Sequence, residues 1–415
     1  MDKNNPLSQF ITVKSNLALT CCIGMLASFF LSRVWLSSFM AAFGLVALAG
    51  IHPKKWFSDK WWLIGFAWLG MYGISFFWSD NKADWLNAYT VKSPVLLLPL
   101  AFALLHAFSA KQLRIFTMSG CIIMLLVVGY SLHFYLENPT YYAEQYVYSH
   151  IFPTLPDNDH IRHSLSISLF VVWCVYAWVF LDNRLQRWLV GVTVLALSVY
   201  LHILAARTGL VVWYLFVFLW VMRYAMKKSF VAGVGLLAVL CISAFVAVKT
   251  IPTLEKKVWY VTHSIELYKQ GNMQSGYSDI GRLISYKVAG GVIAANPALG
   301  VGSGDMRTEM LKGYDAKFKE VPQEYRLLPH NQFFIVMLAT GLIGVVLFTI
   351  WVIMPLSWLK DGKRTFYLFV TWFVLVLTLL IEPMLEVQYG VFVYLFFLLW
   401  IRHAIRTGEN IYRHD

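Results

Sequence analysis

An all-α, polytopic membrane protein of about twelve transmembrane helices is what the sequence predicts, and three observations predict it. The 415-residue chain is 59% hydrophobic and 13% charged, with mean hydropathy +0.62, which is more apolar surface than one water-soluble core could bury. Its long Leu, Val and Phe runs lack strand-like alternation. In lipid the backbone must satisfy its own hydrogen bonds, so such runs select helices over a barrel. The basic residues, which bring the net charge to +12 and the pI to about 9.3, sit in short clusters between the apolar runs. In a soluble protein that charge would suggest nucleic acid; here it marks membrane topology, and no nucleic-acid partner is expected.

Windows of about 20 residues place spans near 17–32, 35–51, 61–78, 88–107, 114–136, 164–182, 187–206, 209–225, 229–248, 332–358, 366–382 and 389–405. The first lacks an early small-residue cleavage site and leads straight into more apolar sequence, so an uncleaved first span is expected. Alternate loops then differ in Lys and Arg. One side holds Lys3, Lys14, Lys54, Lys55, Lys60, Lys111, Arg114, Arg184, Arg187, Arg223, Lys227, Lys228, Lys360, Lys363, Arg364, Arg402, Arg406 and Arg413. The short loops opposite hold Arg33, Lys82, Lys92, Arg162 and Arg207. Eighteen against five puts both termini in the cytoplasm.

Two longer segments, 137–163 and 249–330, both fall outside, and long loops are where function concentrates. The expected organisation is therefore spans one to nine over 1–248, an exterior loop domain over 249–330, and the last three spans with a cytoplasmic tail over 331–415. Within the large loop, 279–295 has helical spacing of Ile280, Leu283, Ile284, Val288 and Val292, and Asn296-Pro297 ends it. A glycine-rich turn follows over 299–305, without the strand or the Gly-Lys-Ser/Thr that a Rossmann or P-loop site requires. No internal repeat is present. Cys21, Cys22, Cys121, Cys174 and Cys241 all lie in apolar stretches without ligand spacing, which points away from a disulfide framework or a zinc site.

A few polar residues stand out against this background. Arg207 sits between two apolar runs, where a guanidinium costs roughly 2.5–3.5 kcal/mol. It either faces a polar cavity or an anion, whose phosphate oxygens its fork matches, or snorkels to the headgroups. Arg282 lies on the loop helix with Tyr286 and Lys287 one turn on, and alone would be a solvated charge. His330, followed by Asn331, ends the loop at the outer membrane surface, where an imidazole can act as general base or as an amphipathic anchor. Lys92 and, in the last outside loop, Glu382 and Glu386 either line the same cavity or mark span ends. His160, Arg162 and His163 form a weaker cluster whose spacing fixes no metal.

In order and spacing these pieces resemble the O-antigen ligase and O-antigen polymerase superfamily of bacterial envelope glycosyltransferases, along essentially the whole chain. The resemblance rests on Ala206-Arg207-Thr208-Gly209 at an outside hairpin and on Gly281-Arg282 with an aromatic four residues after the arginine. It rests further on Asn296-Pro297 with Gly300-Val301-Gly302, and on His330-Asn331 followed by Gly341-Leu342-Ile343-Gly344. It implies a GT-C-like fold with a large periplasmic loop between spans nine and ten, in the bacterial inner membrane. It also implies catalytic roles for Arg207, Arg282 and His330, with Lys92, Tyr286, Gly302, Gly304, Asn331 and Glu382 as further candidates for binding substrate. The reaction implied is transfer of a glycan from undecaprenyl diphosphate, with inversion, to a sugar hydroxyl of lipid A-core, without metal or cofactor. Ligase is the first expectation, polymerase or protein O-glycosylation the alternative within the superfamily, and a transporter or flippase of lipid-linked glycans the alternative from another class.

Overall fold

A computed structural model describes residues 6–50, 59–148, 150–227, 229–270, 278–359 and 365–411. Of the basic residues that set the topology, Lys3, Lys54, Lys55, Lys228, Lys360, Lys363, Arg364 and Arg413 lie outside these. Among the described residues there is no strand. The chain opens with a hairpin of α1 (Pro6–Leu31) and α2 (Arg33–Leu48) that turns at Ser32, whose extended backbone and hydroxyl cap α2. Lys14 closes the hairpin by donating to the Ala47 and Ala49 carbonyls at 2.7 and 2.8 Å, which the end of α2 leaves without helical partners. Next come α3 (Lys60–Ile74), α4 (Lys82–Lys92), α5 (Pro94–Leu104) and α6 (Ala110–Glu137). The span expected at 88–107 is thus two helices that meet at Ser93-Pro94, since proline opens a helix but has no N–H to continue one.

After the short α7 (Pro139–Gln145) the chain enters α8 (His160–Ala177), α9 (Arg184–Leu204), α10 (Arg207–Lys227) and α11 (Phe230–Thr250). The segment read as a loop then proves largely helical, with α12 (Pro252–Lys269), α13 (Ser278–Ala295) and α14 (Met306–Lys317). Only α13 has a clear apolar stripe in the sequence; α12 and α14 are dense in charge and hide theirs. The bundle closes with α15 (Gln332–Ile353), α16 (Thr365–Ile381) and α17 (Gln388–Ile411).

Among the described residues, nine helices are long and apolar enough to cross a membrane, and α2 and α16 are shorter apolar helices. Each of the twelve windows read from the sequence falls on helix, with α3 continued by a 3-10 turn over Ser75–Phe77. Burial sorts the helices. The apolar stretches of α8 and α17 are almost wholly enclosed by protein, whereas α11 is nearly bare along its length, as a helix facing lipid must be. Because lipid tails are as apolar as the core, packing in place of water exclusion holds the helices together. Trp351 of α15 illustrates this: its ring lies 5.0 Å from Trp61, 5.2 Å from Trp68 and 5.3 Å from Tyr394, which joins α3, α15 and α17.

One break in α15 shapes the end of the bundle at which the glycine-rich turn lies. At Gly341 the backbone takes φ 63, ψ −160, a region open essentially to glycine alone. Leu342 therefore donates its N–H to the Pro297 carbonyl at 2.9 Å and not back along its own helix. The Leu338 and Ala339 carbonyls, freed in turn, accept from Val301 (2.8 Å) and Gly302 (3.1 Å) of the glycine-rich turn. A Cβ on Gly341 would overlap the Ala298 carbonyl. Gly341→Ala should therefore cost roughly 2–4 kcal/mol from backbone strain and overlap together. A thermal melt in detergent checks this, and an unchanged midpoint would show that the turn does not depend on the break.

Candidate active site

The site grows from the α9–α10 hairpin. Ala205 ends α9 in the left-handed conformation (φ 47, ψ 29), with its N–H on the Leu201 carbonyl at 3.1 Å. For alanine that conformation costs about 1–2 kcal/mol, so the hairpin is held by its surroundings. Buried Tyr146 supplies part of that hold by donating its hydroxyl to the Leu204 carbonyl at 2.7 Å. On the far side of the turn, Gly209 lies so close to Ser164 of α8 that a Cβ would overlap it, and Ser168 donates to the Gly209 carbonyl at 2.8 Å. Arg207 is thereby fixed as the first residue of α10.

Beside it opens a cavity of about 390 Å³. Arg207, Thr208 and Val211 come from α10, His160 and Ile161 from α8, Lys257 from α12, Arg282 from α13, and Ile381 and Glu382 from the end of α16. Among the described lining residues, Arg207, Lys257 and Arg282 thus stand with one carboxylate, that of Glu382. Arg282 Nη2 lies 2.7 Å from Glu382 Oε1, in a pair whose side chains are 24% and 5% exposed. The Arg282 Nε is buried without a hydrogen-bond partner. Burial raises the Glu382 pKa, Arg282, Arg162 and Arg207 pull it down, and Asp159 pushes it up again. An anion entering the cavity would meet the Arg282 Nε donor, with Arg207 and Lys257 on the same wall.

His330 stands next to this cavity and not on its wall. Tyr286, one turn after Arg282 on α13, donates its hydroxyl to the His330 carbonyl at 2.8 Å. Asn331 caps α15 through the Phe333 and Phe334 N–H groups (2.9 and 3.3 Å) and reaches the Leu380 carbonyl at 3.0 Å with its amide. These bonds place the half-buried His330 between α13 and the end of α16, where Arg282 and Glu382 meet. Tyr286 and Asn331 thus act on its position.

The other candidates lie elsewhere. Lys92 is fully buried, paired with Glu386 at 2.7 Å and seated 4.7 Å from the Tyr72 ring centre, away from the cavity wall. Gln332 completes that network by donating to Glu386 and accepting from the Leu385 N–H, both at 2.7 Å. Gly302 and Gly304, expected at the substrate, instead clasp the turn between α3 and α4. The Gly304 N–H donates to Ser79 Oγ at 3.2 Å, and Asp305 accepts from the Asp80 and Asn81 N–H groups at 2.7 and 3.0 Å. A Cβ at Gly304 would overlap the Asn81 carbonyl and one at Gly302 the Ser79 hydroxyl, so both glycines serve this close approach. Of the histidine cluster, only His160 reaches the cavity. His163 is bound 2.8 Å from the Tyr200 hydroxyl inside the bundle, and Arg162 lies 3.5 Å from Asp159, which also caps α8. Lys257 carried no signal, since within Glu255-Lys256-Lys257 it resembles any solvated charge, yet it is 6% exposed.

Residues 193–349, from α9 into α15, match the family model described as O-antigen ligase, which supports the superfamily resemblance. Arg207, Lys257, Arg282 and His330 all fall within it, while His160, Glu382 and Glu386 lie outside. Among curated proteins, none matches the chain.

Proposed function

We propose, from the O-antigen ligase domain over residues 193–349, that this multi-pass membrane protein is an O-antigen ligase. In this reading it moves a glycan from undecaprenyl diphosphate to a lipid A-core hydroxyl on the outer face of the inner membrane. The observation that carries the reading is the convergence of Arg207, Lys257 and Arg282, from three separate elements, on one cavity. Nucleotide sugars are not expected outside the cytoplasm, so the donor there must already be activated, and a membrane-held diphosphate is the leaving group that three cations suit. The bias of Lys and Arg toward alternate loops supports the orientation.

In the proposed step the acceptor oxygen attacks the anomeric carbon from the face opposite the diphosphate. A bond forms between that carbon and the acceptor oxygen, and the bond to the phosphate oxygen breaks with its electron pair. The configuration inverts. His330 takes the acceptor proton, and Arg207, Arg282 and Lys257 stabilise charge as it develops on the departing diphosphate. Glu382 positions Arg282 through their ion pair. No step consumes ATP, because the energy is already in the glycosyl phosphate bond.

Lys257 presents a point charge and not a fork, so its share of binding should survive replacement by arginine better than by glutamine. Loss of one charge-assisted contact of about 1.5–3 kcal/mol lowers kcat/KM by roughly 10- to 100-fold in Lys257→Gln. Steady-state transfer against donor concentration checks this, and an unchanged kcat/KM would place Lys257 outside the donor site. Deletion of the gene followed by analysis of surface glycans tests the function itself. Loss of long-chain lipopolysaccharide with polymerised glycan accumulating on its lipid carrier is the expected result. Lipopolysaccharide capped by a single repeat would instead make the protein a polymerase.

A further inference from the structure

A second cationic cavity lies at the opposite end of the bundle, beyond the far end of α15 from the first. It measures about 350 Å³ and is walled by the start of α3, the end of α5, the 3-10 turn after α15 and the last turns of α17. Among the described residues Lys60, Arg402, Arg406 and Ser357 line it together with one carboxylate, that of Asp59. That carboxylate is already committed. One oxygen caps α3 through the Trp61 and Trp62 N–H groups at 2.9 and 3.1 Å, and the other lies 3.2 Å from Arg402 Nη1. Arg402 also lies over Trp358, its Cζ 3.6 Å from the ring centre, with 16% of its side chain exposed. Its position is set before any ligand arrives.

We propose that this cavity binds the phosphate group of an anionic molecule, with the headgroup of a membrane phospholipid as the source its surroundings favour. Among the described lining residues three cations stand against one carboxylate, the Arg402 guanidinium supplies directed donors, and Trp61, Trp358 and Met354 give the same cavity an apolar side. A soluble anion would use the cations and leave that side idle. With both termini in the cytoplasm, as proposed above, the cavity faces the leaflet in which anionic headgroups meet basic clusters.

The test uses the full chain in nanodiscs of equal phosphatidylglycerol and phosphatidylcholine, with the lipid that stays bound counted by native mass spectrometry. A parallel arm measures binding of inorganic phosphate in detergent. Arg402 is spared because it also supports α3 and Trp358, and the variant is Lys60→Gln with Arg406→Gln, its fold checked by thermal melt. The expected result is selective retention of phosphatidylglycerol that falls about ten-fold or more in the double variant, with little binding of free phosphate. Tight phosphate binding lost in the same variant would keep the site and assign it to a soluble anion. Equal retention of both lipids without phosphate binding, or selectivity unchanged in a folded double variant, would overturn the proposal.

Discussion

Arg207→Ala and Arg282→Ala should each lower glycan transfer by about 10²–10³-fold, the usual loss when one donor to a developing negative charge is removed. Lysine at either position should recover little, because the planar fork that spans two phosphate oxygens is replaced by one ammonium. The two arginines differ in what else they hold. Arg282 is paired with Glu382, whose carboxyl is 5% exposed, and it is the largest of the influences that pull the Glu382 pKa down against burial. Removing Arg282 therefore raises that pKa further. A group whose folded pKa lies above its unfolded one stabilises the fold at low pH and loses that contribution as pH rises, so Arg282→Ala should melt earlier toward neutral and alkaline pH. Adding Glu382→Gln removes the stranded charge and should restore the melt without restoring transfer. Recovery of activity in that pair would reduce Arg282 to a structural partner of Glu382.

His330→Ala should lose about 10²–10⁴-fold in transfer while still folding and binding the lipid-linked donor, which is the range general-base assistance contributes. His330→Gln separates two roles, because an amide can orient an acceptor hydroxyl but cannot take its proton. Only the neutral ring can accept the acceptor's proton in this role. Anomeric configuration in the product should be inverted. A Gln variant near the original rate, or retained configuration, would leave His330 an orienting group for the acceptor.

Much of this arrangement is legible before any coordinates. Hydropathy finds the helices because lipid demands long apolar runs, and the isolated charge of Arg207 announces a polar cavity for the same reason. The amphipathic stripe of α13 and the Asn296-Pro297 stop are local signals and are read correctly. What escapes is non-local. Nothing in the sequence says that Glu382, a hundred positions from Arg282, ends up 2.7 Å from it, or that Lys92 turns to Glu386 instead. Gly302 and Gly304 do signal close approach, but not of what, and the backbone of the α3–α4 turn takes the place expected for substrate. Lys257 is invisible because α12 has no apolar period strong enough to show which face it buries.

Transfer by the purified protein tests the central claim most directly. Liposomes containing the protein, a glycan on undecaprenyl diphosphate and a lipid A-core acceptor, with no ATP and no proton gradient, should yield glycan joined to the acceptor and free undecaprenyl diphosphate. Arg282→Ala should lower both products by about 10²–10³-fold. Movement of the intact donor across the bilayer without any glycosidic bond formed would contradict the assignment and make the protein a transporter of lipid-linked glycans.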